Sequence, residues 1–290
     1  MNDQVITLPD DRKIGYAVVG KGKPVIYFHG TASSRLEVLL LKDIAEKASL
    51  KIVGIDRPGY GLSTYHPRKH LQDFNKDLNY VADCLGFDHF AILGWSGGGV
   101  FALAFLAQYY EIVTKAVVVN TPFLPFDASK AHSFPFSKYL MKAPFIGALA
   151  VRQLRRQLLK ANGEISVFLG SKQGKQLLQG YSQTDLQLIS DPIWARLMYQ
   201  SMAEGFRQED GVKAVVEEHM LFLEPYDFSF EKIPMNKLVI WQGEADKTCN
   251  INNGRTIAGM IKDSQLEIFK GKGHCVMFEY KEKLANVLLV

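Results

Sequence analysis

Gly94-Trp95-Ser96-Gly97-Gly98 is the stretch on which the reading of the fold turns. It follows the short apolar run Phe90–Leu93 and leads into a helical pattern, Gly98–Tyr109. A serine at a tight strand-to-helix turn projects its Oγ above a sheet, and flanking glycines relieve the crowding of the strained backbone. The start of the helix adds free N–H groups and a positive dipole end beside a developing oxyanion. As a bare pattern, G-x-S-x-G is weak because Gly and Ser are common. Its setting between a strand and a helix gives it weight.

Outward from this turn, short β-branched runs alternate with helical patterns. Val5–Leu8, Lys13–Val19, Pro24–Phe28, Lys51–Ile55, Ala116–Val119, Leu238–Trp241 and Gln265–Phe269 read as further strands. Leu36–Ala48, Leu71–Leu85, Asn253–Ile261 and Val276–Leu289 carry helical spacing. Continuous apolar strands alternating with helices imply an α/β fold whose mostly parallel sheet is covered on both faces. The segment 121–233 breaks the rhythm. Its periodic stretches, Ser137–Leu159, Ser166–Gly180, Pro192–Phe206 and Gly211–Leu223, all look helical. A helical insertion after the sixth strand is expected to cap the strands' carboxyl ends, where ligands of open α/β sheets bind. The expected division is a core of 1–120 and 234–290 with a helical cap of 121–233.

A serine needs a base, and the base needs a group to orient it. The strand LVIW ends in Gln242-Gly243-Glu244-Ala245-Asp246, and the strand LEIF ends in Lys270-Gly271-Lys272-Gly273-His274. Both loops follow strand carboxyl ends, so Asp246 and His274 can converge on Ser96 in the order Ser, acid, His. Asp246 is the better acid, because Glu244 falls closer to its strand. His66, His70, His89, His132 and His219 lack such placement and read as surface or packing residues.

The chain resembles an α/β-hydrolase with a helical cap. His29-Gly30-Thr31 is similar to that superfamily's His-Gly segment, and the resemblance implies an oxyanion hole made by the backbone N–H groups of Thr31 and Gly97. Asp56-Arg57-Pro58-Gly59-Tyr60-Gly61-Leu62-Ser63 resembles the D-x-P-G-x-G-x-S loop that shapes the edge of the site. Ala32-Ser33 stand where the frequent H-G-x-P-G form has Pro-Gly, and His29 reads as a structural hydrogen-bonding residue. A serine at the elbow implies acyl transfer, since relatives that open epoxides or displace halide carry aspartate there.

With 290 residues, 34 Lys+Arg against 30 Asp+Glu and 47% hydrophobic residues, the chain is long and apolar enough for a sizeable core. Its net charge of +4 is too mild to imply nucleic acid as a partner. Cys84, Cys249 and Cys275 show no disulfide framework or metal spacing, and read as buried or partly buried thiols in a reducing compartment. No cofactor is implied. Gly97-Gly98-Gly99 lacks the G-x-G-x-x-G spacing and the acidic partner of a dinucleotide loop. No apolar run is long enough for an integral membrane segment and no signal peptide is recognised, so a cytoplasmic protein acting on a small molecule is expected.

Substrate contacts are expected at Trp95 and Phe123, within a cap rich in aromatics (Phe123, Phe126, Phe134, Phe136, Phe145, Trp194, Phe206, Phe222). Six basic residues, Lys138, Lys142, Arg152, Arg155, Arg156 and Lys160, fall within 138–160 with no acid among them. They read as a solvated face balanced by Glu217-Glu218 and neighbours, with peripheral membrane contact the alternative. The leading function is hydrolysis of a small or medium apolar carboxylic ester. C–C, amide or thioester cleavage on the same triad, or ligand binding without catalysis, stay open beside it.

Overall fold

The computed structural model describes residues 4–127 and 144–290. Eight strands form one sheet: β1 Gln4–Thr7, β2 Lys13–Val19, β3 Lys23–Phe28, β4 Leu50–Ile55, β5 Phe90–Trp95, β6 Val113–Val119, β7 Leu238–Gly243 and β8 Gln265–Phe269. Their order is β1-β2-β4-β3-β5-β6-β7-β8. β2 runs antiparallel to β1 and β4, and every other pairing is parallel.

The central strands read as unbroken apolar runs because both faces are covered. Period-2 alternation divides their side chains between two cores. Val25, Tyr27, Ala91, Leu93, Val117 and Val119 face one core. Ile26, Phe28, Phe90, Ile92, Ala116 and Val118 face the other. The helices in chain order are α1 Lys42–Lys47, α2 Asn75–Cys84, α3 Gly97–Tyr109, α4 Pro144–Lys160, α5 Ile165–Gly170, α6 Lys172–Gln179, α7 Gln183–Ile189, α8 Pro192–Gly205, α9 Asp210–Leu221, α10 Ile251–Met260, α11 Val276–Glu279 and α12 Lys281–Leu289. α3 is buried along Gly97–Leu106 and hydrophobic all round, as befits a helix against the middle of the sheet.

Several helical patterns are interrupted by local chemistry. Leu36–Ala48 forms a 3-10 turn, Arg35–Leu41, before the short α1, and Leu71–Phe74 likewise precedes α2. The periodic stretch 166–180 breaks at Ser171, whose hydroxyl accepts from Gly174 N and caps α6. α7, absent from the sequence reading, starts at a capping box in which Ser182 and Asp185 serve each other's backbone N–H. Cys84 ends α2 in an exposed position, contrary to the expectation of a covered thiol, while Cys249 and Cys275 are buried.

Helices α4 to α9 lie between β6 and β7 in the chain. They touch loops that follow strand carboxyl ends. Ser201 of α8 bonds Ser33 and Ser34, Glu218 of α9 bonds Arg57, and Asp185 of α7 bonds the loop after β8. The strongest of these links is ionic. Arg57 donates Nε to Glu218 Oε1 (2.6 Å) and Nη2 to Oε2 (3.0 Å), and Tyr60 Oη donates to Oε2 (2.8 Å). Arg57, Tyr60 and Glu218 are fully buried. Burial alone would raise the Glu218 carboxyl, but the charge and hydrogen bonds of Arg57, with the charge of Arg68, hold it down at about 2.

Removing one partner leaves a buried charge uncompensated, so Glu218→Gln is expected to cost about 3–5 kcal/mol in urea unfolding. A folded-state pKa below the unfolded one means this stabilisation is present above about pH 4.5 and lost as pH falls toward about 2. The variant's deficit should therefore shrink in acid.

The same pair corrects the balance expected for the basic stretch. Glu217 serves Tyr65 and Arg68, and Glu218 serves Arg57 and Arg68, so both carboxylates are committed to partners outside the basic helix. Arg155 of α4 pairs with Glu209 at 3.0 Å, with Arg152 3.8 Å away. Lys138 and Lys142, like Phe134, Phe136 and His132, lie outside the described residues. Among the described residues, no helix is long and apolar enough to cross a membrane.

Candidate active site

Ser96 occupies the turn between β5 and α3 with φ 54° and ψ −128°, a left-handed backbone that only a fixed surrounding sustains. Its N–H donates to Val119 O (2.9 Å), tying the turn to β6. The motif's glycines are required by close approach. A Cβ on Gly98 would stand 2.2 Å from Phe28 O, and one on Gly94 would stand 2.6 Å from the Gly99 Cα. The helix can then start directly against the strands, leaving Ser96 8% exposed.

Asp246 and His274 come together as the sequence suggests. His274 Nδ1 donates to Asp246 Oδ2 at 2.8 Å, and both residues are 4% exposed. The other carboxylate oxygen accepts the N–H groups of Thr248 (2.7 Å) and Cys249 (3.0 Å), which fixes the acid's orientation. Burial pushes the imidazole toward its neutral form, and the charge and hydrogen bond of Asp246 outweigh this, so the His274 pKa lies above 6.5. Glu244 instead accepts from Gly271 N on the neighbouring loop.

One pocket gathers Ser96 and His274 with Gly30, Thr31, Ser33, Glu37, Trp95, Leu177, Tyr181, Met198, Met202 and Thr248. Gly97 is the first residue of α3, so its N–H has no partner within the helix. Thr31 lies beside it, since a Cβ on Gly97 would meet Thr31 Oγ1 at 2.0 Å. Ala32, at the position that departs from the frequent form, takes φ 60°. Trp95 packs against His274, with ring centroids 5.2 Å apart, and its Nε1 donates to His274 O. Phe123 does not line this pocket. Its ring packs edge-on against Tyr226, because its backbone N–H is anchored on Asn253 Oδ1 at 2.7 Å. His29 is fully buried, with Nδ1 2.7 Å from Gly30 O and Nε2 accepting from Arg57 N.

Three residues of the site were not singled out from sequence. Glu37 accepts from Gly30 N (2.9 Å) and Tyr27 Oη (2.6 Å), bracing the loop before Thr31. Asn120, at the end of β6, donates to the carbonyls of Gly273 and His274 and accepts from Gly243 N. An Asn closing an apolar strand run is a signal that could have pointed to it. Asp185 accepts from the His274 and Cys275 N–H groups, a role its local capping pattern does not reveal.

Among the described residues, the group of three potential metal ligands is Asp246, Cys249 and His274, with donor atoms within 4.8 Å of one another. Asp246 and His274 already bond each other. Burial, then the charge of Asp246, push the Cys249 thiol well above its ordinary pKa, leaving it a poor ligand.

A family model for the alpha/beta hydrolase fold matches residues 23–280. Serine hydrolase-like protein 2 of Homo sapiens is 29% identical over 163 residues, 50% of each chain, and the first curated relatives are spanned over about half of their length or less. Monoacylglycerol lipase ABHD6 of Mus musculus is 22% identical across 97% of this chain and 79% of its own. Among solved structures, an esterase from Exiguobacterium antarcticum superposes with a TM-score of 0.69 at 19% identity, covering 99% of this chain and 98% of its own.

Proposed function

The chain belongs to the α/β-hydrolase fold family, and from that premise we propose that it is a serine hydrolase cleaving a carboxylic ester with an apolar acyl group. The observation that carries the reading is the buried His274–Asp246 pair sharing an apolar-walled pocket with a serine at the elbow. His274 Nε2 takes the Ser96 proton as Oγ attacks the ester carbonyl, and Asp246 stabilises the imidazolium. The N–H groups of Thr31 and Gly97 face the oxyanion, each contributing about 10²–10³ in rate. Collapse returns the proton to the leaving alcohol. Water then attacks the acyl-enzyme through the same base, and the acid leaves.

The acyl side faces the cap, segment 121–233, set over a core of 1–120 and 234–290. Leu177, Tyr181, Met198 and Met202 line both the Ser96 pocket and an adjoining apolar chamber with Phe168, Leu169 and Trp194. Each of these cavities encloses only about 30 Å³, so the cap has to part to admit an acyl chain, which then gains about 0.8 kcal/mol for each CH₂ buried against the apolar walls. The three free cysteines suit a reducing, cytoplasmic setting for this small-molecule chemistry.

A panel of p-nitrophenyl esters from acetate to dodecanoate, beside an aryl amide, a thioester and a vinylogous diketone, tests the reading. Highest kcat/KM on a medium-chain ester supports it, whereas turnover confined to the amide, thioester or diketone replaces it. Leu177 lines both cavities, so Leu177→Trp adds bulk where an acyl chain would pass from one to the other, and is expected to shift the octanoate-to-acetate ratio of kcat/KM by at least about tenfold toward acetate.

A further inference from the structure

The loop that carries His274 is held from two sides, and only one of them belongs to the sheet core. On the core side, Asn120 Nδ2 donates to Gly273 O (2.9 Å) and His274 O (2.7 Å), and Trp95 Nε1 donates to His274 O (2.9 Å). These bonds occupy carbonyls. The amides of the same loop turn toward the cap. His274 N donates to Asp185 Oδ2 (3.0 Å) and Cys275 N donates to Asp185 Oδ1 (2.7 Å). The carboxylate is fully buried and is itself aimed by Ser182, whose N–H and Oγ–H donate to Oδ2 at 2.9 and 2.8 Å. Gly273 leaves room for this contact, since a Cβ there would fall 2.0 Å from Asp185 Oδ2.

We propose that Asp185 is a positioning residue for His274, a latch through which docking of the cap turn Ser182–Asp185 sets the imidazole's place against Ser96. Two buried N–H groups lose their acceptor if the turn lifts, and such a loss is costly enough to make the docked geometry strongly preferred. Tyr181, immediately before the turn, lines the Ser96 pocket. A substrate that packs against Tyr181 therefore steadies the turn that holds the base, so cap closure and assembly of the base are one event. The inference rests on the reading of His274 as the general base.

Asp185→Asn tests it, because an amide keeps the shape but turns one of its two hydrogen-bonding atoms from acceptor to donor against a backbone N–H. Displacement of the imidazole by about 1 Å is expected to lower kcat by about 10²-fold, with KM within about twofold of wild type. The groups facing His274 are Asp246, Asp185, Glu37 and Cys249. Loss of the Asp185 charge removes one contribution that favours the imidazolium, so the acid limb of kcat/KM should move to lower pH. The downfield proton resonance of His274 Nδ1–H, read by NMR without any substrate, should weaken in the variant.

A change in KM alone, with kcat, pH profile and resonance as in wild type, would overturn the proposal and make Asp185 a cap-building residue only. If Asp185→Asn does not fold by circular dichroism, Ser182→Ala frees the carboxylate to rotate and is judged by the same three readouts. A wild-type protein that turns over no ester would overturn the function proposed above. The resonance, and the rate at which a phosphonate labels Ser96, would still decide the role of Asp185.

Discussion

Ser96→Ala is expected to lower kcat on the preferred ester by on the order of 10⁶-fold. In the proposed mechanism the serine hydroxyl forms the acyl-enzyme, and its loss leaves only the proposed oxyanion donors and binding to act on the substrate. Alanine retains the Cβ, and the positive φ of the elbow is already imposed by the tie of its N–H to Val119 and by the close packing of Gly94 and Gly98. The variant should therefore keep the wild-type Tm. Single-turnover release of p-nitrophenolate measures the first effect and calorimetry the second. Residual activity within about tenfold of wild type would remove Ser96 from the chemistry.

Asp246→Asn is expected to cost about 10⁴-fold in kcat. The carboxylate oxygen that accepts from Thr248 and Cys249 can be replaced by the amide oxygen, which places the NH₂ toward His274. The imidazole must then accept at Nδ1 and carry its proton on Nε2, where it cannot take one from Ser96. The pH profile separates this from simple disorder. In the proposed mechanism the neutral imidazole is the active form, and the Asp246 carboxylate raises its pKa above the ordinary value, so kcat/KM should climb with pH along a limb displaced upward from that of a free imidazole. In the variant burial still favours the neutral ring while the opposing charge of Asp246 is gone, so the limb of the residual activity should fall to lower pH.

The parts of this account legible in the sequence are those set by short-range geometry. The elbow is written in one five-residue turn, because the strand, the tight turn and the close helix each demand a residue type at a fixed offset. Asp246 and His274 were readable because each closes the loop after an apolar strand, and parallel strands bring such loops to one edge. The central strands followed from their unbroken apolar runs, and β1, β2 and β8 from short β-branched stretches. Long-range partners were not readable. Asp185 is 89 residues from His274, and Glu218 is 161 from Arg57. Nothing local distinguishes the Ser182–Asp185 capping box from an ordinary helix start. Phe123 is expected at the substrate as one of the cap's aromatics, and neither the anchor of its N–H on Asn253 nor its ring contact with Tyr226 is legible in the sequence. The helix breaks at Ser171 and Tyr280 were missed because apolar periodicity runs across them while the backbone does not.

The basic helix α4 gains a different meaning once its partners are known. Arg155 is committed to Glu209 and to Phe206 O, while Arg156 and Lys160 remain exposed beside Leu159. The ionic links between the inserted helices and the sheet's loops run instead through α8 and α9. Arg35 bridges Asp56 and Glu204, and Arg57 and Arg68 meet at Glu218. The helices inserted between β6 and β7 are thus fastened to the loops of the sheet by buried charge through α8 and α9 and by the Asp185 carboxylate through α7.

The central claim is that Ser96 is activated by the His274–Asp246 pair, and covalent labelling tests it most directly. The protein is treated with an active-site alkyl phosphonate and digested, and the adduct is located by mass spectrometry with Ser96→Ala in parallel. One stoichiometric adduct on Ser96 is expected in the wild type, none in Ser96→Ala, and strongly slowed labelling in Asp246→Asn. A folded wild-type protein that takes no adduct, or takes it on another residue, would contradict the account.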